Sequence, residues 1–225
     1  METALFAQHG PAGLVQQVAL ATQHGLPHQA EQCLRAMIRI RTLGDHRAAF
    51  RAGGPWVIAL CLETFPTSLG LARAALIAGL FRSWRGGIAP FHGAPTKRVV
   101  KAICKAMKTF KHDLLVANGG LRLLKLHASS TYRLVETPAV VETVAESMRT
   151  FPNNDPVQHF GAHAIAAING VEPCDLKAAH GEMGYNAIAV TSVEMAVESP
   201  PSLRIGNQSW QQVVLAVYPR LRERA

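Results

Sequence analysis

Apolar positions along this chain recur every three or four residues, and the strict alternation of a half-buried strand is hard to find. Leu14, Val15, Val18 and Ala19 open a helical ladder that stops at His24-Gly25-Leu26-Pro27. Ala30, Cys33, Leu34, Met37 and Ile40 form a second ladder, broken at Leu43-Gly44-Asp45, where Asp45 is a candidate N-cap. A short helix, HRAAFRA, runs into Gly53-Gly54-Pro55. WVIALCLETF follows and stops at Pro66, and LGLARAALIAGLF continues toward Trp84. Residues 85–95 carry three glycines and two prolines, which predicts a long loop or hinge. Helix returns over Thr96–Phe110, then in HDLLVANGG and LRLLKLHASS, with a break expected at the paired glycines.

Thr137–Asn169 holds two ladders, Val141, Val144, Ala145 and Met148, then Val157, Phe160, Gly161, Ala164, Ile165 and Ile168. Asp155 is placed to cap the second of these helices, with Pro156 at its first position. Further helices are predicted near His180, over Tyr185–Val197, and from about Ile205 to Tyr218 with Trp210, Val213, Val214 and Val217. Every predicted element is helical. Residues 1–13 are expected to be a loose tail, 14–220 the folded domain and 221–225 a basic C-terminal tail.

The helices repeat. LETFP at 62–66, MKTFK at 107–111 and MRTFP at 148–152 each end an apolar helix in Thr-Phe, and Phe65, Phe110 and Phe151 stand 45 and 41 residues apart. VVKAICKAMKTF and VVETVAESMRTF agree over most of their length, and Gly120 and Gly161 share the second spacing. Helical repeats of about 40–47 residues bury their apolar stripes only against neighbouring copies.

On these residues the chain resembles the armadillo family. RAAFRAGGPWVIALCLETFP is similar to that family's short first helix, glycine break and second helix, and VQHFGAHAIAAI to its third, with Ala164, Ile165 and Ile168 at the core positions. EQCLRAMIRI echoes the third helix through Ala36, Met37 and Ile40. The resemblance implies an all-α, armadillo-like right-handed superhelix (an α-solenoid) of about five repeats. HDLLVANGGLRLL also reads as a first-plus-second helix, which would make Lys97–Phe110 a third. In the family's peptide carriers the third helices line a concave groove with Trp and Asn; here His163 and Ala167 stand at those positions, and Arg35 and Arg39 fall near them in the first unit.

Composition turns this fold reading toward a partner. Hydrophobic residues make up 48% of the chain and aromatics 6%, which suits close helix packing more than a sandwich. No apolar run approaches the roughly 20 residues of a membrane span, and the N-terminus lacks a signal-peptide pattern, so a cytoplasmic or nuclear location is expected. Cys33, Cys61, Cys104 and Cys174 are scattered without a paired motif, as small buried hydrophobes would be.

The formal charge is +8, unevenly distributed. Arg35–Arg133 holds 17 Lys/Arg against Asp45, Glu63 and Asp113, whereas Leu134–Leu203 holds two against nine carboxylates. No Asp or Glu occurs between Thr64 and His112. Within that span Lys97, Lys101, Lys105, Lys108 and His112, spaced by four, four, three and four, fall on one helical face opposite Val100, Ile103, Met107 and Phe110. Arg98 flanks them, and Arg35, Arg39 and Arg73 stand on neighbouring predicted helices. Like charges at this spacing repel slightly, so the stripe does nothing for the helix itself.

Phosphate-cradling loops, GxSxG, HExxH and paired-cysteine motifs are absent from the sequence. His159 and His163 share a helical face but form only half a metal site, for which Cys174 or His180 would have to supply a third ligand. No cofactor is expected. The reading is a non-enzymatic scaffold whose basic repeats bind an acidic or phosphorylated protein segment. The alternatives are binding of a nucleic-acid backbone by the same stripe and head-to-tail self-association of the basic and acidic parts.

Overall fold

A computed structural model describes residues 2–38, 42–79, 94–128, 137–168, 204–205 and 208–209. Within these residues the chain folds into nine α-helices and one minimal strand pair: α1 (Glu2–Gln23), α2 (Pro27–Ile38), α3 (Leu43–Arg51), α4 (Gly54–Thr64), α5 (Leu69–Ala78), α6 (Ala94–Thr109), α7 (Leu114–Ala128), α8 (Thr137–Thr150), α9 (Asp155–Ile168), β1 (Arg204–Ile205) and β2 (Gln208–Ser209). The protein is thus all-α in character. Among the described residues, no helix is long and apolar enough to cross a membrane.

The chain divides into two compact units, residues 1–110 and 111–225. In the first, α2 packs on α1 and α5, α1 also meets α3 and α4, and α4 packs on α5 and α6 as well. Leu14, Leu34, Met37, Ile58, Leu71, Leu76 and Ile103 are the large side chains fully withdrawn from solvent. In the second, α9 packs on α7 and α8, over Leu121, Leu124, Met148 and Ile165, and β1 touches α8.

Three helix pairs share one register. Aligned on Phe65, Phe110 and Phe151, helices α4, α6 and α8 bury the same positions: Val57, Ala102 and Thr143; Ile58, Ile103 and Val144; Cys61, Ala106 and Ser147; Leu62, Met107 and Met148. Each Phe N–H donates to the carbonyl four residues back, on Cys61, Ala106 and Ser147. Ser68, Asp113 and Asn154 then begin the next helices, α5, α7 and α9. Their carbonyls accept from Ala72, Ala117 and Gln158, and Leu71, Val116 and Val157 are fully buried at the same step. One turn further on in the same helices, Ala75, Gly120 and Gly161 fall together at a buried, small position.

The closest of these approaches is at Gly161. A Cβ there would lie 2.5 Å from the Met148 Sδ and 2.6 Å from its Cγ, so the absence of a side chain is what lets α9 settle on α8. Gln158 secures the same corner, its amide donating at 2.9 Å to the Met148 carbonyl, whose i+4 residue Pro152 has no N–H, and to the Phe151 carbonyl, which also accepts from the Asn154 N–H.

Local departures from the sequence reading have local causes. Residues 2–9 belong to α1 and are not a loose tail; the helix bends at Gly10 (φ 63°) before Pro11. The Gly25 turn is a Schellman closure, with the Leu26 N–H on the Ala21 carbonyl and the Gly25 N–H on that of Thr22. The cap of α3 is Thr42, whose hydroxyl accepts from the Asp45 N–H, and Asp45 lies in the first turn. Likewise Asn154 Oδ1 accepts from the Val157 N–H, so Asn154 and not Asp155 caps α9.

Gly119-Gly120 does not break α7, which is one helix over Leu114–Ala128; that removes the two-helix reading of HDLLVANGGLRLL. α6 begins at Ala94, two residues before the expected start. Ile205 pairs with Gln208 in the strand ladder instead of opening a helix. The predicted loop over 85–93, the helices near His180 and over 185–197, the remainder of the last helix with Trp210, and the tail at 221–225 lie outside the described residues.

Candidate interaction face

Helix α6 is strongly two-sided because its sequence alternates in blocks: Val99, Val100, Ala102, Ile103, Ala106 and Met107 are buried, while Lys97, Arg98, Lys101, Lys105 and Lys108 are exposed. Its buried side rests on α4. The helix ends at Thr109, so His112 stands in the following turn, within the second unit, and is not part of the helical stripe. The face therefore runs over three turns, from Lys97 to Lys108.

Arg98 is already engaged. Its Nε donates to both carboxylate oxygens of Glu63 on α4, at 3.1 and 2.9 Å, and its Nη2 donates to Oε2 at 2.5 Å. The Nε and Nη2 edge of the guanidinium thus faces the carboxylate, with both nitrogens meeting on Oε2 in charge-assisted hydrogen bonds. Glu63 accordingly moves the Arg98 pKa upward from its ordinary value, through its hydrogen bonds first and its charge second. The Arg98 guanidinium carbon also lies 5.7 Å from the ring centroid of Trp56, an α4 residue that remains 39% exposed.

Trp56 and Glu63 are functional candidates that reading the sequence by charge alone passes over. Both carry a signal. Trp56, aligned on Phe65 and Phe110, falls at the exposed position of Lys101, and Glu63 is the last carboxylate before the acid-free span.

The other basic candidates are placed differently. Arg35 on α2 pairs with Glu31 one turn before it, in an exposed ion pair. Arg73 is half-buried on α5. These two helices pack on each other, whereas α6 packs on α4. Arg39 lies outside the described residues.

In the second unit, His163 does not present itself to an open groove: it is 8% exposed. Burial, then Lys125 and His159, push its pKa down to about 3. The His159 ring meets it edge-on at 4.4 Å, and Phe160 lies beneath Arg122 at 5.2 Å and Lys125 at 5.8 Å. Among the described residues no three His, Cys, Asp or Glu side chains gather as a metal set; Cys174, His180 and the side chain of Ala167 are not among those described.

Cys33 and Cys61 are buried, and burial raises both thiols, Cys61 to about 11 against the Thr22 hydroxyl at 3.1 Å. Such thiols are poor nucleophiles.

No protein-family profile, curated protein or solved structure matches the chain.

Proposed function

We propose that this chain is a non-enzymatic, armadillo-like helical-repeat scaffold whose lysine face on α6 binds an acidic or phosphorylated protein segment. The recurrence of one buried register in α4, α6 and α8 supports the repeat reading, since copies that bury the same positions are built to stack in the same way. The observation that carries the binding reading is the face itself. Lys97, Lys101, Lys105 and Lys108 are exposed over three turns of a helix whose opposite side is buried. Four like charges gain nothing from one another there, whereas an oxyanion-bearing partner meets them in a span of chain with no carboxylate of its own.

The test is charge reversal at the centre of the face. Partners captured by proximity labelling in the protein's own cell should lose their acidic or phosphorylated members when Lys101→Glu and Lys105→Glu are combined. An unchanged partner set removes this face as the site. Ribonuclease-sensitive capture of RNA alone would reassign the face to a nucleic-acid backbone.

A further inference from the structure

We infer that Glu63 is an internal stand-in for the partner's acidic group: it holds the Arg98 guanidinium beside Trp56, and an incoming carboxylate or phosphate replaces it. This rests on the reading of the α6 face as an acidic-segment site and names how that site is anchored.

Three observations converge. First, Nε and Nη2 both donate to the Glu63 carboxylate and meet on its Oε2, so this edge of the guanidinium is already turned toward an oxyanion. Second, the contact is at the surface, where solvent-exposed ion pairs exchange readily and hold little free energy. Glu63 is therefore displaceable by a ligand that also engages Lys97 and Lys101, both exposed on the same helix as Arg98.

Third, Trp56 lies under the guanidinium with 39% of its surface open. An exposed indole in contact with a cation offers an apolar platform next to a charged group. A segment carrying an acidic residue and a neighbouring apolar side chain fits both. Tryptophan and arginine are the residues that most often anchor protein interfaces.

The exchange forms one ion pair and breaks another, and the released Glu63 returns to water. Glu63 thus lowers the affinity for acidic partners in general and sets a threshold: a ligand must bring more than one charge, or a charge and an apolar contact. No covalent step is involved.

The test uses the full chain and two labelled twelve-residue peptides read by fluorescence anisotropy, one of alternating Glu and Leu, the other with phosphoserine in place of half the glutamates, with a third peptide of Glu and Gly as the control that lacks apolar side chains. Glu63→Gln should tighten both peptides by about two- to fivefold, the range expected from removing an exposed competing ion pair. Arg98→Ala should weaken them, and in the Arg98→Ala background Glu63→Gln should have no effect. Trp56→Ala should weaken the Leu-containing peptide more than a peptide of Glu and Gly.

Equal tightening by Glu63→Gln with and without Arg98 would show a general loss of negative charge and overturn the stand-in. If Lys101→Glu with Lys105→Glu abolishes binding while the Glu63 and Arg98 variants do not couple, the lysine face stands and this inference alone falls. Absence of saturable binding by either peptide, or binding only of a single-stranded oligonucleotide, overturns both. A preference between the carboxylate and phosphoserine peptides identifies the oxyanion.

Discussion

Helices α6 and α8 match in their buried register and carry opposite surface charge. VVKAICKAMKTF and VVETVAESMRTF bury the same face, with Val99 and Val140, Val100 and Val141, Ile103 and Val144, and Met107 and Met148 in matching places. Where α6 exposes Lys101, α8 exposes Glu142; where α6 exposes Lys105, α8 has the half-buried Glu146. Packing against a neighbour constrains the inward positions through volume and hydrophobicity. The outward positions escape that constraint except where a neighbouring helix reaches them, as Glu63 reaches Arg98. The difference between the two helices therefore isolates the part of the sequence that is free to specify a partner.

The largest effects should come from the shared side. Met107 and Met148 occupy one register position and are 2% and 1% exposed. Met107→Ala and Met148→Ala should each destabilise by about 2–5 kcal/mol, as buried Met truncations do, measured by urea unfolding. A cost confined to one of the two would break the equivalence of the copies.

Next in size is an effect that the copies do not share. The position of His163 in α9 is filled by Ile77 in α5 and Arg122 in α7. The His163 pKa in the fold, about 3, lies below its ordinary 6.5 because burial disfavours the imidazolium. The unfolded chain therefore takes up a proton that the folded one refuses. The stability this residue permits is complete above about pH 6.5 and is lost progressively as pH falls toward 3. Between pH 7 and 5 the loss should be about 2 kcal/mol, and His163→Gln should remove that increment from the pH dependence. An identical pH profile for wild type and variant would show that His163 is not the source.

The sequence made the inward register legible and the outward contacts much less so. The Thr-Phe spacing and the apolar ladders identify α4, α6 and α8 because period and volume are local properties of the chain. Caps shift by one to three residues between sequence and structure, from Asp45 to Thr42 and from Asp155 to Asn154, because Asp, Asn and Thr all accept a backbone N–H and only the backbone path selects among them. Gly119-Gly120 reads as a breaker but stays helical, because both glycines are buried and packing outweighs their poor propensity. The Glu63–Arg98 ion pair joins residues 35 positions apart on different helices. No periodicity within either helix announces it, and the stripe consequently looks more uniform in sequence than it is in space.

Glycine sites give a smaller, sharper test of how tightly each pair is packed. At Gly161 a Cβ would overlap the buried Met148 Sδ and Cγ. Overpacking of about 1–3 kcal/mol exceeds the ~1 kcal/mol that alanine gains in a helix, so Gly161→Ala should destabilise by about 1 kcal/mol. In the Met148→Ala background the same change should become neutral or stabilising. At Gly70 the nearest atoms are the Glu31 carboxylate, 2.7 Å from the added Cβ, the far end of a side chain that can swing aside. Gly70→Ala should therefore be neutral or stabilising, and a matching loss at both glycines would refute the distinction.

The smallest effect on stability belongs to the surface charges themselves, and that smallness is the point of the comparison. Exchanging Lys101 and Lys105 for Glu, or Glu142 and Glu146 for Lys, changes charges whose neighbour interactions along each helix are a few tenths of a kcal/mol. Each double exchange should move the unfolding midpoint by less than about 0.5 kcal/mol in equivalent stability. Binding of an acidic peptide should nonetheless fall at least tenfold in the α6 exchange, because each reversal turns an attraction into a repulsion at the contact. The α8 exchange asks the converse question. If lysines at 142 and 146 create binding as strong as that of α6, then charge alone defines the site, and Trp56 and Arg98 contribute nothing particular. If they do not, recognition depends on the neighbouring copy, where α4 brings an indole and a carboxylate to the α6 guanidinium, and the repeat supplies a site only where two unlike outward faces meet.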